Sequence, residues 1–130
     1  MSAGVIHDRH YTLDQANGLL PALKPLLREL RDAKDDLVDA DAHEALGDAA
    51  PTNGGGKEGR RVGEAFLEVQ RLLSKLNEAG IVVRDVDRGL VDFPSMRDGE
   101  EVYLCWELGE DSVEHWHEID SGYRNRRPLD

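Results

Sequence analysis

The sequence predicts an α+β fold: an antiparallel helical hairpin packed on a small antiparallel β-meander, all in a single domain. Three observations carry this. Two segments repeat apolar residues at helical spacing, a third is β-branched and alternating, and glycine-rich or Asp-Gly turns separate them. At 130 residues the chain has single-domain size, with length enough for one modest core.

Helix 1 is expected over residues 11–41. Thr12 and Gln15 are spaced as a capping box, in which each side chain satisfies the other's backbone amide. Ala16, Leu19, Leu20, Leu23, Leu27, Leu30 and Leu37 then form one apolar stripe. Pro21 and Pro25 each lack an amide donor and crowd the carbonyl four residues back, which predicts a kink or restart near Pro21. Residues 47–59 hold a run of three glycines and read as a flexible loop. They lack the Gly-Lys-Ser/Thr ending and the preceding strand of a phosphate-cradling loop.

Helix 2, residues 60–79, places Val62, Ala65, Phe66, Val69, Leu72, Leu73 and Leu76 on one near-heptad seam and stops at Gly80. The meander spans residues 81–108. A β-branched strand runs from Ile81 to Val86, a short strand from Leu90 to Phe93 is stopped by Pro94, and Asp98-Gly99 makes a hairpin turn. A third strand follows, with Val102, Leu104, Trp106 and Leu108 on its apolar face. Residues 110–130 form a polar C-terminal segment.

Composition excludes more partners than it names. A net charge of −11 argues against nucleic acid and against anionic membrane surfaces, both of which select clustered Lys and Arg. The single Cys105 fits a reducing compartment. No apolar run approaches the ~20 residues of a membrane span, and no signal peptide opens the chain. A cytoplasmic, soluble protein is therefore expected.

The chemistry crowds between Tyr103 and Arg127, which hold both tryptophans, two of the five histidines and the only cysteine. If Glu114–Glu118 is helical, Glu114 and His117 share a face as a Glu-x-x-His ligand pair, the unit of dinuclear metal bundles. Such a site needs two pairs, so a symmetric dimer would supply the second, with Glu64 or Glu68 of helix 2 as further ligands. If it is extended, His115 and His117 share a side instead. The bland alternative is histidines bonded to carboxylates or stacked on Trp116. Asp85, Asp87, Asp92, Glu107 and Glu110 are the second candidate set. Asp92 and Glu107 interrupt apolar strand sequence, so each must be solvated, paired with Arg84, Arg88 or Arg97, or bound to a cation. Arg126 and Arg127 offer forked donors to an anion or pair with the excess acids. Cys105 reads as a small buried hydrophobe, and His7 and His10 as part of a mobile tail.

Tyr11-Thr-Leu-Asp-Gln-Ala-Asn-Gly-Leu-Leu-Pro21, Gly80-Ile-Val-Val-Arg-Asp85, Gly89-Leu-Val-Asp-Phe-Pro-Ser95, Val102-Tyr-Leu-Cys-Trp-Glu-Leu-Gly-Glu110 and Trp116-His-Glu-Ile-Asp-Ser-Gly-Tyr123 resemble the uncharacterised prokaryotic domain-of-unknown-function family 2203. The resemblance implies no activity or substrate. It points to Asp85, Asp92, Trp106, Gly109, Glu110, Trp116, His117, Gly122 and Arg126 as matching positions, and to His115 as a departure from an aromatic residue.

Two functions follow as expectations. One is a small protein binding a divalent metal ion or an anionic ligand, with hydrolase-like chemistry open to it. Its metal ligands would be His117, Glu110, Glu114 and Asp92, and its ligand-binding residues Arg126, Trp106 and Trp116, with no catalytic residue assigned. The other is a non-enzymatic scaffold, a homodimer formed through the Val62–Leu76 seam.

Overall fold

The computed structural model describes residues 5–43 and 57–129. Two long helices, α1 (Leu13–His43) and α2 (Lys57–Glu78), precede five strands. These are β1 (Val82–Asp85), β2 (Leu90–Arg97), β3 (Glu100–Glu107), β4 (His115–Glu118) and β5 (Arg127–Pro128), with a 3₁₀ turn at Tyr123–Asn125. The strands lie in chain order in one antiparallel sheet, so the α+β architecture holds and its meander continues beyond residue 108.

Local signals at the helix ends act as expected. Thr12 N–H donates to Gln15 Oε1 at 2.9 Å while Gln15 N–H donates to Thr12 Oγ1 at 3.1 Å. At the end of α2, Ile81 N–H bonds Leu76 O and Gly80 N–H bonds Asn77 O, with Gly80 at φ +79°, which is a Schellman close.

Of the kink or restart expected near Pro21, the restart does not occur: α1 continues as one helix through Pro21 and Pro25. Both prolines are exposed and lie four residues apart, so water can reach the carbonyls of Asn17 and Pro21 that they leave without an amide partner. The glycine loop lies largely outside the described residues, and its last three residues, 57–59, belong to α2.

Pro94 does not stop β2 either; the strand runs on to Arg97. The Pro94 carbonyl accepts a 2.7 Å bond from Tyr11 N–H, on the side away from β3. A residue's N–H and C=O leave an antiparallel strand toward the same neighbour, so the missing donor removes no β2–β3 bond.

Beyond it, Asp98 (φ 53°) and Gly99 (φ 82°) form a two-residue turn that sets Arg97 opposite Glu100. That register places Val91 opposite Trp106, Asp92 opposite Cys105 and Phe93 opposite Leu104.

Alternation then gives the sheet two distinct faces. Val91, Phe93, Leu104 and Trp106 join Leu20, Leu23, Leu27, Leu30, Leu72 and Leu76 of the helices in one core. The α2 seam is only partly used: Ala65, Leu72 and Leu76 are buried, whereas Phe66 and Leu73 are exposed. Asp92, Pro94, Tyr103, Cys105 and His117 occupy the other face, and they too are buried. The chain supplies the cover. Residues Ile6–His10 strap one end, pinned by Glu101, which accepts Ile6 N–H at 2.8 Å, His7 N–H at 3.1 Å and His10 Nε2 at 2.7 Å. Burial raises the Glu101 carboxyl and these donors outweigh it, holding the group below the usual range. His7 and His10 are thus anchored and not a loose tail. Residues 119–123 cover the opposite end.

Candidate functional site

Three strands each contribute one side chain to a cluster on the outer face. Asp92 comes from β2, Cys105 from β3 and His117 from β4, and one ligand atom from each lies within 4.8 Å of the other two. Among the described residues no other group of His, Cys, Asp and Glu meets that condition. The β2–β3 register sets Asp92 against Cys105, and the β3–β4 register sets His117 one pleat along, opposite Tyr103.

His117 is 1% exposed and spends both ring nitrogens. Nε2 lies 3.0 Å from Asp92 Oδ1 and Nδ1 lies 2.8 Å from the Glu118 carbonyl. Two acceptors require two ring protons, so the side chain is an imidazolium. Burial alone pushes its pKa down, but the bonds to Asp92, the Cys105 sulfur and Glu118 outweigh it and hold the pKa at about 10.

Asp92 is also 1% exposed. Its second oxygen accepts a 2.8 Å bond from Arg84 Nε. Arg84 owes its position to an irregularity in β1. Val83 pairs with Val91 and Asp85 with Leu90, which leaves Arg84 as an extra residue without a cross-strand partner. The bulge aims its side chain at Asp92, and the guanidinium stacks 4.9 Å from the Tyr103 ring centroid.

A cavity of about 290 Å³ opens over the cluster, lined by Arg84, Asp92, Cys105 and His117 on the sheet side and by Ile119–Tyr123 on the other. Asp120 and Gly122 in that lining are exposed, so the cavity reaches the surface. The three donor side chains stand on the sheet, with the core behind them.

The remaining predicted residues go elsewhere. Because β4 is extended, Glu114 and His117 do not share a helical face, and Glu114 is exposed just before the strand. Glu110 is held by a forked pair to Arg126 at 3.1 and 2.9 Å and by Glu107 N–H at 2.8 Å. Those donors outweigh burial and keep its carboxyl low. Its nearest histidine is His115, at 3.8 Å, whose Nδ1 is buried without a hydrogen-bond partner.

Arg126 is thus bound to Glu110, also reaches the Cys105 sulfur, and stacks on the Tyr123 ring at 4.3 Å, where Arg88 stacks too at 4.2 Å. Trp106 is fully buried on the helix side, its indole N–H donating to Glu110 O at 3.0 Å. Trp116 also packs toward the core, with Arg97 and Arg127 stacked on it at 4.7 and 5.4 Å. Of the acidic set, Glu107 pairs with Arg88 and Asp87 with Lys34, while Asp85 accepts the Arg88 amide. Asp92 and His117 are therefore the two predicted metal ligands that meet. Arg84 is one of the three arginines expected to pair with Asp92, and it does so. Cys105 is buried as expected, and what sequence reasoning did not assign is its place as a third donor beside Asp92 and His117. A two-residue Asp98-Gly99 turn forces position sums of 197 across β2 and β3, and that arithmetic alone pairs Asp92 with Cys105.

Such an arrangement defines a small α+β protein with a buried Asp–Cys–His cluster at the floor of a surface-reaching cavity. The chain belongs to the family described as Uncharacterized conserved protein (DUF2203), which matches residues 9–129. No curated protein and no solved structure matches it. Among the described residues, no helix is long and apolar enough to cross a membrane.

Proposed function

We propose that the protein binds one divalent cation of the zinc class through Asp92 Oδ1, Cys105 Sγ and His117 Nε2. The observation that carries this is the convergence of three buried donors of different chemistry on one point facing a cavity. Carboxylate, thiolate and imidazole together suit zinc better than magnesium or calcium, which take oxygen donors. A tetrahedral zinc spaces its donors by roughly 3–4 Å; His117 Nε2 and Asp92 Oδ1 stand 3.0 Å apart, and all three donor atoms lie within 4.8 Å of one another.

The surrounding bonds are of the supporting kind such sites use. Nδ1–H on Glu118 O fixes the imidazole tautomer and directs Nε2 at the cation. Arg84 holds the far oxygen of Asp92. Three protein donors leave a fourth position toward the cavity, where a bound water would have its pKa lowered to about 7 and serve as a hydrolytic nucleophile. A nucleophilic Cys–His–Asp relay fits less well. It needs one ring nitrogen facing the thiol and the other facing the carboxylate, whereas here the nitrogens face Asp92 and Glu118 O.

Cobalt(II) titration of the purified protein tests the reading. Saturation near one equivalent should develop d–d bands and a thiolate-to-cobalt charge-transfer band. Cys105→Ser should abolish the charge-transfer band, and His117→Ala should weaken binding by about 100-fold or more. If cobalt produces no thiolate band, the assignment is wrong.

Self-association through α2 is a second reading, favoured by the exposure of Phe66 (49%), Leu67 (64%) and Leu73 (37%) along one side of that helix. Light scattering of wild type against Leu67→Glu decides it. A monomer in both cases would remove it.

A further inference from the structure

We propose that the ligand of this site is a small monocarboxylate with a short apolar body, bound with one oxygen at the open coordination position and the other on the Arg84 guanidinium. The inference rests on the cation reading above and adds to it the class of compound that the cavity selects.

Charge is the first argument. A dication held by the Asp92 carboxylate and the Cys105 thiolate is formally neutral, since metal-bound thiols are deprotonated and a metal-bound imidazole is uncharged. Arg84 then leaves the cavity wall with a single positive charge, which complements a monoanion. Asp120 is the other charged residue in the lining, and it is exposed at the mouth, where solvent and salt screen it.

Donor geometry is the second. The bond to Asp92 uses one of the five N–H donors of a guanidinium. Arg84 lines the cavity with its side chain 42% exposed, and stacking on Tyr103 fixes its plane. A planar fork of that kind matches a carboxylate, whose two oxygens can bridge from a cation to a neighbouring donor.

The walls supply the third argument. Leu90, Ile119 and Tyr123 offer apolar surface next to the charged floor, and about 290 Å³ stands at the small end of ligand cavities. A short aliphatic acid places its carboxylate at the floor and its chain against these residues. Arg126 also reaches the Cys105 sulfur, but its charge is matched by the forked bond to Glu110, so it adds no net charge for the ligand to meet.

The test uses cobalt-loaded full-length protein and titrates butyrate, butyramide and inorganic phosphate against the d–d absorption. Butyrate should shift the bands in a saturable manner, and the isosteric neutral amide at the same concentration should not. At saturating cobalt, Arg84→Gln should weaken butyrate by about tenfold or more, with the charge-transfer band retained. Ile119→Trp, which fills the cavity without touching a donor, should abolish the butyrate response and keep cobalt.

A cobalt–thiolate spectrum that butyrate leaves unmoved, or that phosphate moves at lower concentration than butyrate, would overturn this proposal and leave the cation site standing. Equal butyrate affinity in wild type and Arg84→Gln would also overturn it. Absence of any cobalt–thiolate band would remove both.

Discussion

The two faces of the sheet are built from alternate residues of the same strands, yet they are held by different physics. Facing the helices, Val91, Phe93, Leu104 and Trp106 are buried among leucines, and their burial removes apolar surface from water. Facing away, Asp92, Cys105 and His117 are buried to the same degree. Burying an ion pair recovers little net stability, because desolvation offsets the attraction. Folding therefore explains the first face and not the second. An N-terminal strap and residues 119–123 lie around this aspartate, imidazolium and thiol, an arrangement that suits the proposed cation site.

Substitutions can break or sharpen that contrast. The largest effect belongs to the helix-side face. Trp106→Ala should destabilise by about 3–5 kcal/mol, from lost burial and a residual cavity, read as a lower urea midpoint.

On the outer face, Asp92→Ala should cost about 3 kcal/mol by leaving a buried imidazolium without its counter-charge. The double change Asp92→Leu with His117→Leu should recover most of that loss, because a well-packed apolar pair replaces the ion pair, while cation binding disappears. A double variant as unstable as the single one would mean that the outer face is structural.

The pH dependence has a definite sign. The folded His117 pKa, about 10, lies above its unfolded value near 6.5. The protonated ring's contribution is fully present below pH 6.5 and is lost as pH rises through 10. In the presence of a chelator, urea midpoints should fall between pH 6.5 and pH 10 for wild type and stay flatter for the double leucine variant. Cation affinity should rise over the same window, since metal and proton compete for Nε2. The smallest effect expected is Thr12→Ala, about 1 kcal/mol from the lost cap, with the site untouched.

The contrast also explains what the sequence made legible. Local rules recovered the Thr12–Gln15 box, the Gly80 close and the Asp98-Gly99 turn, because each depends on residues within a few positions. Alternation identified Leu104 and Trp106 as core. It failed for Tyr103 on the same strand, since its burial comes from a segment far along the chain, where His7 Nε2 reaches the Tyr103 hydroxyl at 2.6 Å. The burial of Cys105 is expected from its residue type and not from alternation, and Ser121–Tyr123 help close the cavity beside it. Pro94 misled because its missing donor faces the Tyr11 side. Glu110 and Arg126 are polar, semi-buried and adjacent to the site, and only coordinates could show that they satisfy each other. Asp92 stood out for a local reason, a carboxylate between Val91 and Phe93, and that signal pointed to the cluster.

X-ray absorption at the zinc edge of the loaded protein tests the central claim most directly. One sulfur scatterer at about 2.3 Å with nitrogen and oxygen neighbours at about 2.0 Å is the predicted shell, with the sulfur lost in Cys105→Ser. A shell of oxygen and nitrogen alone in the wild-type protein would place zinc elsewhere and contradict the assignment.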